Sequence, residues 1–318
     1  MSALVQKSVG IVGLGRPAEH YLAALEDLYD AKLSVVVDPE APSRGRLHCP
    51  GLRAYRSVEE LLEARAVPDV AVLCTAAPGR ALHALDLLRA GSDLIATAPL
   101  ALREPEAELI AESAERLGRA LLTAGPFRHC PVLRGVHEQL VSGRIGTPRR
   151  IECALPPKEF GRRGPLLGEG GSWLDLGVHA LDLLEALAGP LDRMRIELRP
   201  GARETSDREV ALLETQHANG CVGSIELGRA GALVPPLARC MGEEGEILVG
   251  MSQTLLRANG SVEVLGTGHD PRAAHRALFS ELFERRLSPI PDEDHGAQSV
   301  ARLYRAYAAR GQDGWQTV

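Results

Sequence analysis

A chain of 318 residues is long enough for two domains, each with its own core. The formal charge of −6 leaves no basic footprint for nucleic acid or an anionic membrane surface, and no apolar run reaches transmembrane length. Six cysteines (49, 74, 130, 153, 221 and 240) are scattered without CxxC or CxxH spacing, which reads as reduced thiols of a cytoplasmic protein and as no metal site.

Met1 to Lys7 is a short polar lead, without the pattern of a signal segment. An apolar strand over 9–12 then runs into Gly13-Leu14-Gly15-Arg16. A helix from about Pro17 to Tyr29 and a second strand over 33–37 follow, and Asp38 closes the segment. Strand, glycine turn, helix, strand and terminal acid within about thirty residues is the dinucleotide-binding βαβ pattern. The first glycine permits the tight turn. The second lets backbone approach a pyrophosphate at the helix N-terminus, where N–H groups and the helix dipole attract anions. Asp38 would accept from the adenosine ribose hydroxyls, which favours NAD, with NADP as the alternative. Ala18 stands at the third glycine position, and Pro17 suits a first helical turn but offers a phosphate no N–H. The pattern also fits a Rossmann-like domain that has lost its ligand.

Beyond a Pro/Arg-rich loop, Ser57-Val58-Glu59-Glu60 is a capping box that opens a helix to about Arg65. Strands over 69–75, 94–97 and 120–124 alternate with helices over 79–90 and 104–117, so a doubly wound parallel sheet is expected over residues 1–125. The rest of the chain, 126–318, reads as an α+β domain on a mostly antiparallel open sheet. It has helices over 131–141 and 172–187, a strand over 149–155, seven strands between 194 and 265, and closing helices over 272–286 and 295–310. Asn219-Gly220 and Asn259-Gly260 are hairpin turns, and Glu244-Gly245 marks another.

In Gly168 to Asp182 (GEGGSWLDLGVHALD) a glycine-rich entry precedes a helix with Asp175 and His179 four residues apart, on one face. A carboxylate beside an imidazole orients the ring and raises its proton affinity, a general acid–base pairing. The same spacing also suits a helix packed on a sheet with a hydrogen-bonded structural histidine.

With GLG at 13–15, DVAVLCT ending on Thr75, AG at 90–91, PLA at 99–101, SGRIG at 142–146 and GGSWLDLGVHALD at 170–182, the chain resembles the glucose–fructose oxidoreductase/inositol dehydrogenase (Gfo/Idh/MocA) family over essentially its whole length. The resemblance implies a Rossmann domain joined to a C-terminal α/β domain whose open sheet mediates homodimers or homotetramers. It implies hydride transfer between NAD(P) and a small sugar, cyclitol or related carbonyl compound. Thr75, Ala76, Thr97 and Ala98 would line the cofactor, and Asp175 and His179 would lie at the substrate end of the nicotinamide, with Trp173 against the substrate.

Two departures stand out. The family's Glu-Lys-Pro is Thr97-Ala98-Pro99 here, and its Thr-Pro with a histidine five residues beyond the threonine becomes Thr75, Ala76 and Arg80. Only three of the 36 basic residues are lysines (7, 32 and 158), but such a bias should leave arginine at 98, not alanine. His179 would act alone, or Lys158 would fold in from its loop, and Arg162 with Arg163 offers an anion site. Most such loop cations simply face water. The reading is an NAD(P)-dependent oxidoreductase of a small carbonyl, imine, sugar or cyclitol, using Asp175 and His179 without the usual lysine. Its alternative is a non-catalytic nucleotide-binding or scaffold relative.

Overall fold

A computed structural model describes residues 6–40, 51–76, 79–124, 129–154, 172–200, 209–227, 237–250, 252–267, 270–284, 297–309 and 314–317. The chain forms two compact units. One is Met1–Ala124 with Arg272–Gln298, and the other is Gly125–Pro271 with Ser299–Val318.

The first unit is built in chain order from β1 (Lys7–Val12), α1 (Arg16–Leu25), β2 (Ala31–Val37), β3 (Arg53–Tyr55), α2 (Val58–Glu63), β4 (Val70–Leu73), α3 (Arg80–Ala90), β5 (Asp93–Thr97), α4 (Glu104–Leu117) and β6 (Leu121–Ala124). The strands form one six-stranded sheet ordered β3-β2-β1-β4-β5-β6, and every pairing is parallel. Strand order reverses beside β1, so β1 and β4 flank the crevice where such sheets bind ligands. Strands buried on both faces should read as apolar runs, and the two cores show why. Val35, Val37, Ala71, Leu73, Leu94 and Ala96 enter one cluster with Leu61, Leu87 and Ile110 of α2, α3 and α4. The intervening Val36, Val70, Val72 and Ile95 enter the other with Tyr21 of α1.

Local signals place the helices. Ser57 accepts from the Glu60 amide at 3.2 Å, while the Glu60 carboxylate accepts from the Arg56 amide at 2.7 Å, so the expected capping box forms with its return bond one residue early. Gly91 and Gly118 end α3 and α4 in the left-handed conformation.

The second unit contains α5 (Pro131–Val141), β7 (Pro148–Cys153), α6 (Ser172–Ala188), β8 (Leu191–Pro200), β9 (Glu209–His217), β10 (Val222–Leu227), β11 (Ala238–Gly242), β12 (Gly245–Val249), β13 (Gln253–Ala258) and β14 (Ser261–Thr267). After α7 (Pro271–Glu284) come α8 (Ala297–Ala308) and β15 (Gln316–Thr317). The nine-stranded sheet runs β14-β13-β12-β11-β7-β10-β9-β8-β15, and only β7 with β10 is parallel. At the β13–β14 turn Asn259 and Gly260 both have positive φ (53° and 74°), the primed turn that Asn-Gly favours.

The sequence assigns all of 126–318 to one domain, but residues 272–298 group with the first unit. There Leu278, Phe279 and Leu282 of α7 complete the cluster around Val9, Ile11 and Tyr21. Tyr21 meets the His275 ring edge-on at 4.6 Å and that of Phe279 at 6.1 Å. Two short edge strands, β3 and β15, also had no sequence signal.

Candidate active site

The glycine loop joins β1 to α1. Gly13 has φ +89°, and a Cβ there would stand 2.9 Å from the Thr75 amide nitrogen and 3.0 Å from the Cys74 carbonyl carbon, so the fold itself demands glycine. Gly15 differs. It is the N-cap of α1 with φ −70°, and a Cβ would meet nothing nearer than Pro17 Cδ at 3.7 Å. The protein has room for a side chain at Gly15, and the space is the cradle that a pyrophosphate would fill. Arg16 opens α1 on the exposed side, and Pro17 takes the first turn with no N–H to give.

Asp38, just past β2, accepts from the Leu14 amide at 2.8 Å through one carboxylate oxygen and from the Glu40 amide at 2.9 Å through the other. It therefore ties the glycine loop to the end of β2. A carboxylate has about four acceptor positions, so two remain for ribose hydroxyls.

At the carboxyl end of β4, Thr75 keeps a buried Oγ1 with no hydrogen-bond partner among the described residues. Burying an unsatisfied hydroxyl costs on the order of 1–3 kcal/mol, so the atom is poised for a ligand. Ala76 follows it. The Thr97 hydroxyl is already engaged, donating to the Leu73 carbonyl at 3.1 Å. Between the two strand ends lies Arg80, the first residue of α3, only 3 % exposed. Its Nε donates to the Thr75 carbonyl at 3.1 Å, Nη2 bonds the same oxygen, and Nη1 bonds the carbonyls of Thr97 and Pro99. One guanidinium thus holds the ends of β4 and β5 and straddles Ala98. In sequence Arg80 registers only as a lost histidine. No sequence signal marks this role, because its partners are backbone carbonyls.

In the second unit His179 lies on α6, a helix buried almost all round. From Leu176 to Ala188 only Leu176, His179 and Glu185 are even half-exposed. The helix is held at several points. Gly177 lies under α8, where a Cβ would stand 2.9 Å from Leu303 Cδ2. Arg302 of α8 pairs with Glu185 at 2.8 Å. At the C-terminus, three carbonyls meet side-chain donors: His137 Nδ1 to Ala186 at 3.1 Å, Asn219 to Ala188 at 2.8 Å, and His217 Nδ1 to Gly189 at 2.7 Å. These satisfy acceptors that a helix end otherwise leaves open. With Nδ1 donating, His217 Nε2 accepts from the Thr215 hydroxyl at 2.9 Å. Burial pushes this imidazole below its usual range, against the hydrogen bonds that raise it.

The α6 backbone carries Asp175 and His179 one turn apart, as expected, while the side chains of Asp175 and Trp173 lie outside the described residues. Lys158, Arg162 and Arg163 lie outside them entirely, as do Arg44 and Arg46. Burial pushes the thiols of Cys74 and Cys240 up to about 12 and that of Cys221 to about 11, so none offers a thiolate nucleophile. Among the described residues no cluster of three or more His, Cys, Asp or Glu has a metal-binding arrangement, and no helix is long and apolar enough to cross a membrane.

The open cradle at Gly15, the spare acceptors of Asp38 and the orphaned Thr75 hydroxyl fit a dinucleotide. The comparisons point to the same class of cofactor. Residues 7–125 match the oxidoreductase family with an NAD-binding Rossmann fold, and 133–248 match the GFO/IDH/MocA C-terminal domain. Rhizopine catabolism protein MocA of Rhizobium meliloti is 25% identical over 233 residues, 70% of this chain and 71% of that protein. The dTDP-3,4-didehydro-2,6-dideoxy-alpha-D-glucose 3-reductase of Streptomyces violaceoruber is 27% identical over 284 residues, 84% of this chain and 74% of the reductase. An oxidoreductase from Agrobacterium radiobacter, solved with NAD+, L-tartaric acid and magnesium, shares the fold with a TM-score of 0.79 at 17% identity, over 98% of each chain. With both of its domains matched, the chain belongs to the Gfo/Idh/MocA family of NAD-binding oxidoreductases.

Proposed function

We propose that this oxidoreductase acts on a small carbonyl, imine, sugar or cyclitol and that His179, aided by Asp175, is its acid–base group in place of the usual lysine. Bound NAD(H) would supply the hydride acceptor or donor. Gly13, Leu14, Gly15 and Arg16 would hold the pyrophosphate, Asp38 the ribose, and Thr75, Ala76, Thr97 and Ala98 the nicotinamide half.

What supports this reading is the chemistry left around Ala98. Alanine has no proton to move, the Thr97 hydroxyl is spent on Leu73, and Arg80 is a guanidinium that stays protonated. Histidine is the side chain whose ordinary range spans neutral pH, and the family resemblance carried by residues 170–182 names His179 for the task. Carbonyl or imine reduction asks for proton donation to a developing anion, which a histidine supplies without a second base. Lys158, Arg162 and Trp173 are our candidates for contacts to the substrate.

The test follows NADH absorbance with a panel of sugars, cyclitols, imines and 2-keto acids, using wild type, His179→Ala and Ala98→Lys. Turnover should fall on the order of 10²–10⁴-fold in His179→Ala, the usual loss when an acid–base group is removed. Ala98→Lys should leave NADH affinity within a few-fold and impair the native reaction. Undiminished turnover in His179→Ala would refute the assignment.

We further propose a cytoplasmic homodimer or homotetramer assembled through the nine-stranded sheet. On its face away from α6, Leu212, Val222, Leu248 and Leu255 are half-buried beside ion pairs such as Arg239–Glu246–Arg257 and Arg195–Glu214. Val262 and Val264 stand exposed on the edge strand β14. A monomer in light scattering at micromolar concentration would overturn this.

A further inference from the structure

Arg80 occupies an unusual electrostatic position. Its cation sits at the first residue of α3, where the helix dipole already places partial positive charge, so the charge and the dipole add rather than cancel. The residue is 3 % exposed, and its guanidinium bonds the carbonyls of Thr75, Thr97 and Pro99. Open α/β sheets bind their ligands at the carboxyl ends of the strands, and these three carbonyls mark the ends of β4 and β5. A buried charge is screened far less by salt and water than a surface one.

We propose that Arg80 is a positioning residue that fixes the β4 and β5 ends and biases the nucleotide site toward the reduced cofactor. This rests on the nucleotide-site reading given above. NAD+ carries a positive charge on its nicotinamide ring that NADH lacks. A fixed cation beside the strand ends therefore raises the free energy of the oxidised form more than that of the reduced form. A guanidinium keeps its charge. Arg80 would thus do electrostatically, at all working pH values, part of what a titrating group does elsewhere, while leaving proton transfer to another residue.

The two roles of Arg80 separate experimentally. A purely structural clamp, when removed, weakens NAD+ and NADH together. A field effect changes their ratio. Isothermal titration of the full chain with NADH and with NAD+ reads both. Wild type should bind NADH more tightly. In Arg80→Gln and Arg80→Met the preference should shrink about tenfold, the scale of a unit charge acting over roughly 10 Å at an effective dielectric of about 20. Arg80→Lys should keep the preference even where both affinities drop. An unchanged ratio in a folded Arg80→Gln, or a preference lost in Arg80→Lys, would overturn the proposal. If the neutral variants fail to fold by circular dichroism, wild type still decides, because NAD+ binding as tight as NADH contradicts the bias. Wild type that binds neither nucleotide would instead overturn the nucleotide-site reading itself.

Discussion

Adding a methyl group to Gly13 and to Gly15 should perturb the same loop in opposite ways. At Gly13 the backbone has φ +89°, where a Cβ costs roughly 1–2 kcal/mol. The new methyl would also press on backbone atoms of Cys74 and Thr75 at 3.0 and 2.9 Å, which cannot turn aside as a side chain does. Overpacking of that kind adds about 1–3 kcal/mol, so Gly13→Ala should destabilise by about 2–5 kcal/mol. At Gly15 the nearest atom is Pro17 Cδ at 3.7 Å and φ is −70°. Alanine there restricts the unfolded chain, a gain of about 0.4–1 kcal/mol, against a poorer N-cap. Stability should stay within about 1 kcal/mol of wild type, while the methyl occupies the pyrophosphate cradle and weakens NADH at least about tenfold. Urea unfolding and NADH titration on the two variants decide the matter. If Gly15→Ala binds NADH like wild type, or unfolds as early as Gly13→Ala, the separation of a glycine required by the fold from one required by the ligand is wrong.

Asp38→Asn keeps the acceptor for the Leu14 amide but removes the charge. It should narrow the difference between NADH and NADPH in paired titrations, and tighter NADPH binding by wild type would refute the role of Asp38. His217 is held neutral by burial, so its stabilisation is present above its unfolded value of about 6.5 and is lost as pH falls through its depressed folded value. The urea midpoint should therefore drop between about pH 7.5 and about pH 5, and His217→Gln, while less stable at neutral pH, should show a shallower drop over that interval. Equal acid sensitivity in the variant would assign the effect to other groups.

Where local chemistry decides the conformation, the chain was readable in advance. Gly13 must turn tightly whatever surrounds it, Asn259-Gly260 selects its hairpin, and residues 70–73 and 94–96 are apolar because both faces of their strands are covered. The Asp38 carboxylate could be placed from its register after β2, but not its bond to the Leu14 amide, which depends on the loop curling back. Arg80 was opaque because its partners are backbone carbonyls, which no residue identity advertises. The three residues of β3 are too few to show a period, and they pair only because β2 offers an open edge.

The return of α7 to the first unit has a consequence for biosynthesis. The apolar flank formed by Val9, Ile11 and Tyr21 waits for Leu278, Phe279 and Leu282, more than 250 residues downstream. At ribosomal speeds of about 5–20 residues per second, that flank stays uncovered for on the order of 15–50 s after its own strand has emerged. Eight of the nine strands of the second sheet, β7 to β14, are made in the interval. An N-terminal fragment ending near residue 125 would keep the glycine loop and Asp38 yet carry a permanently bare helix face. The nucleotide-binding half is thus among the first parts translated and among the last to be completed.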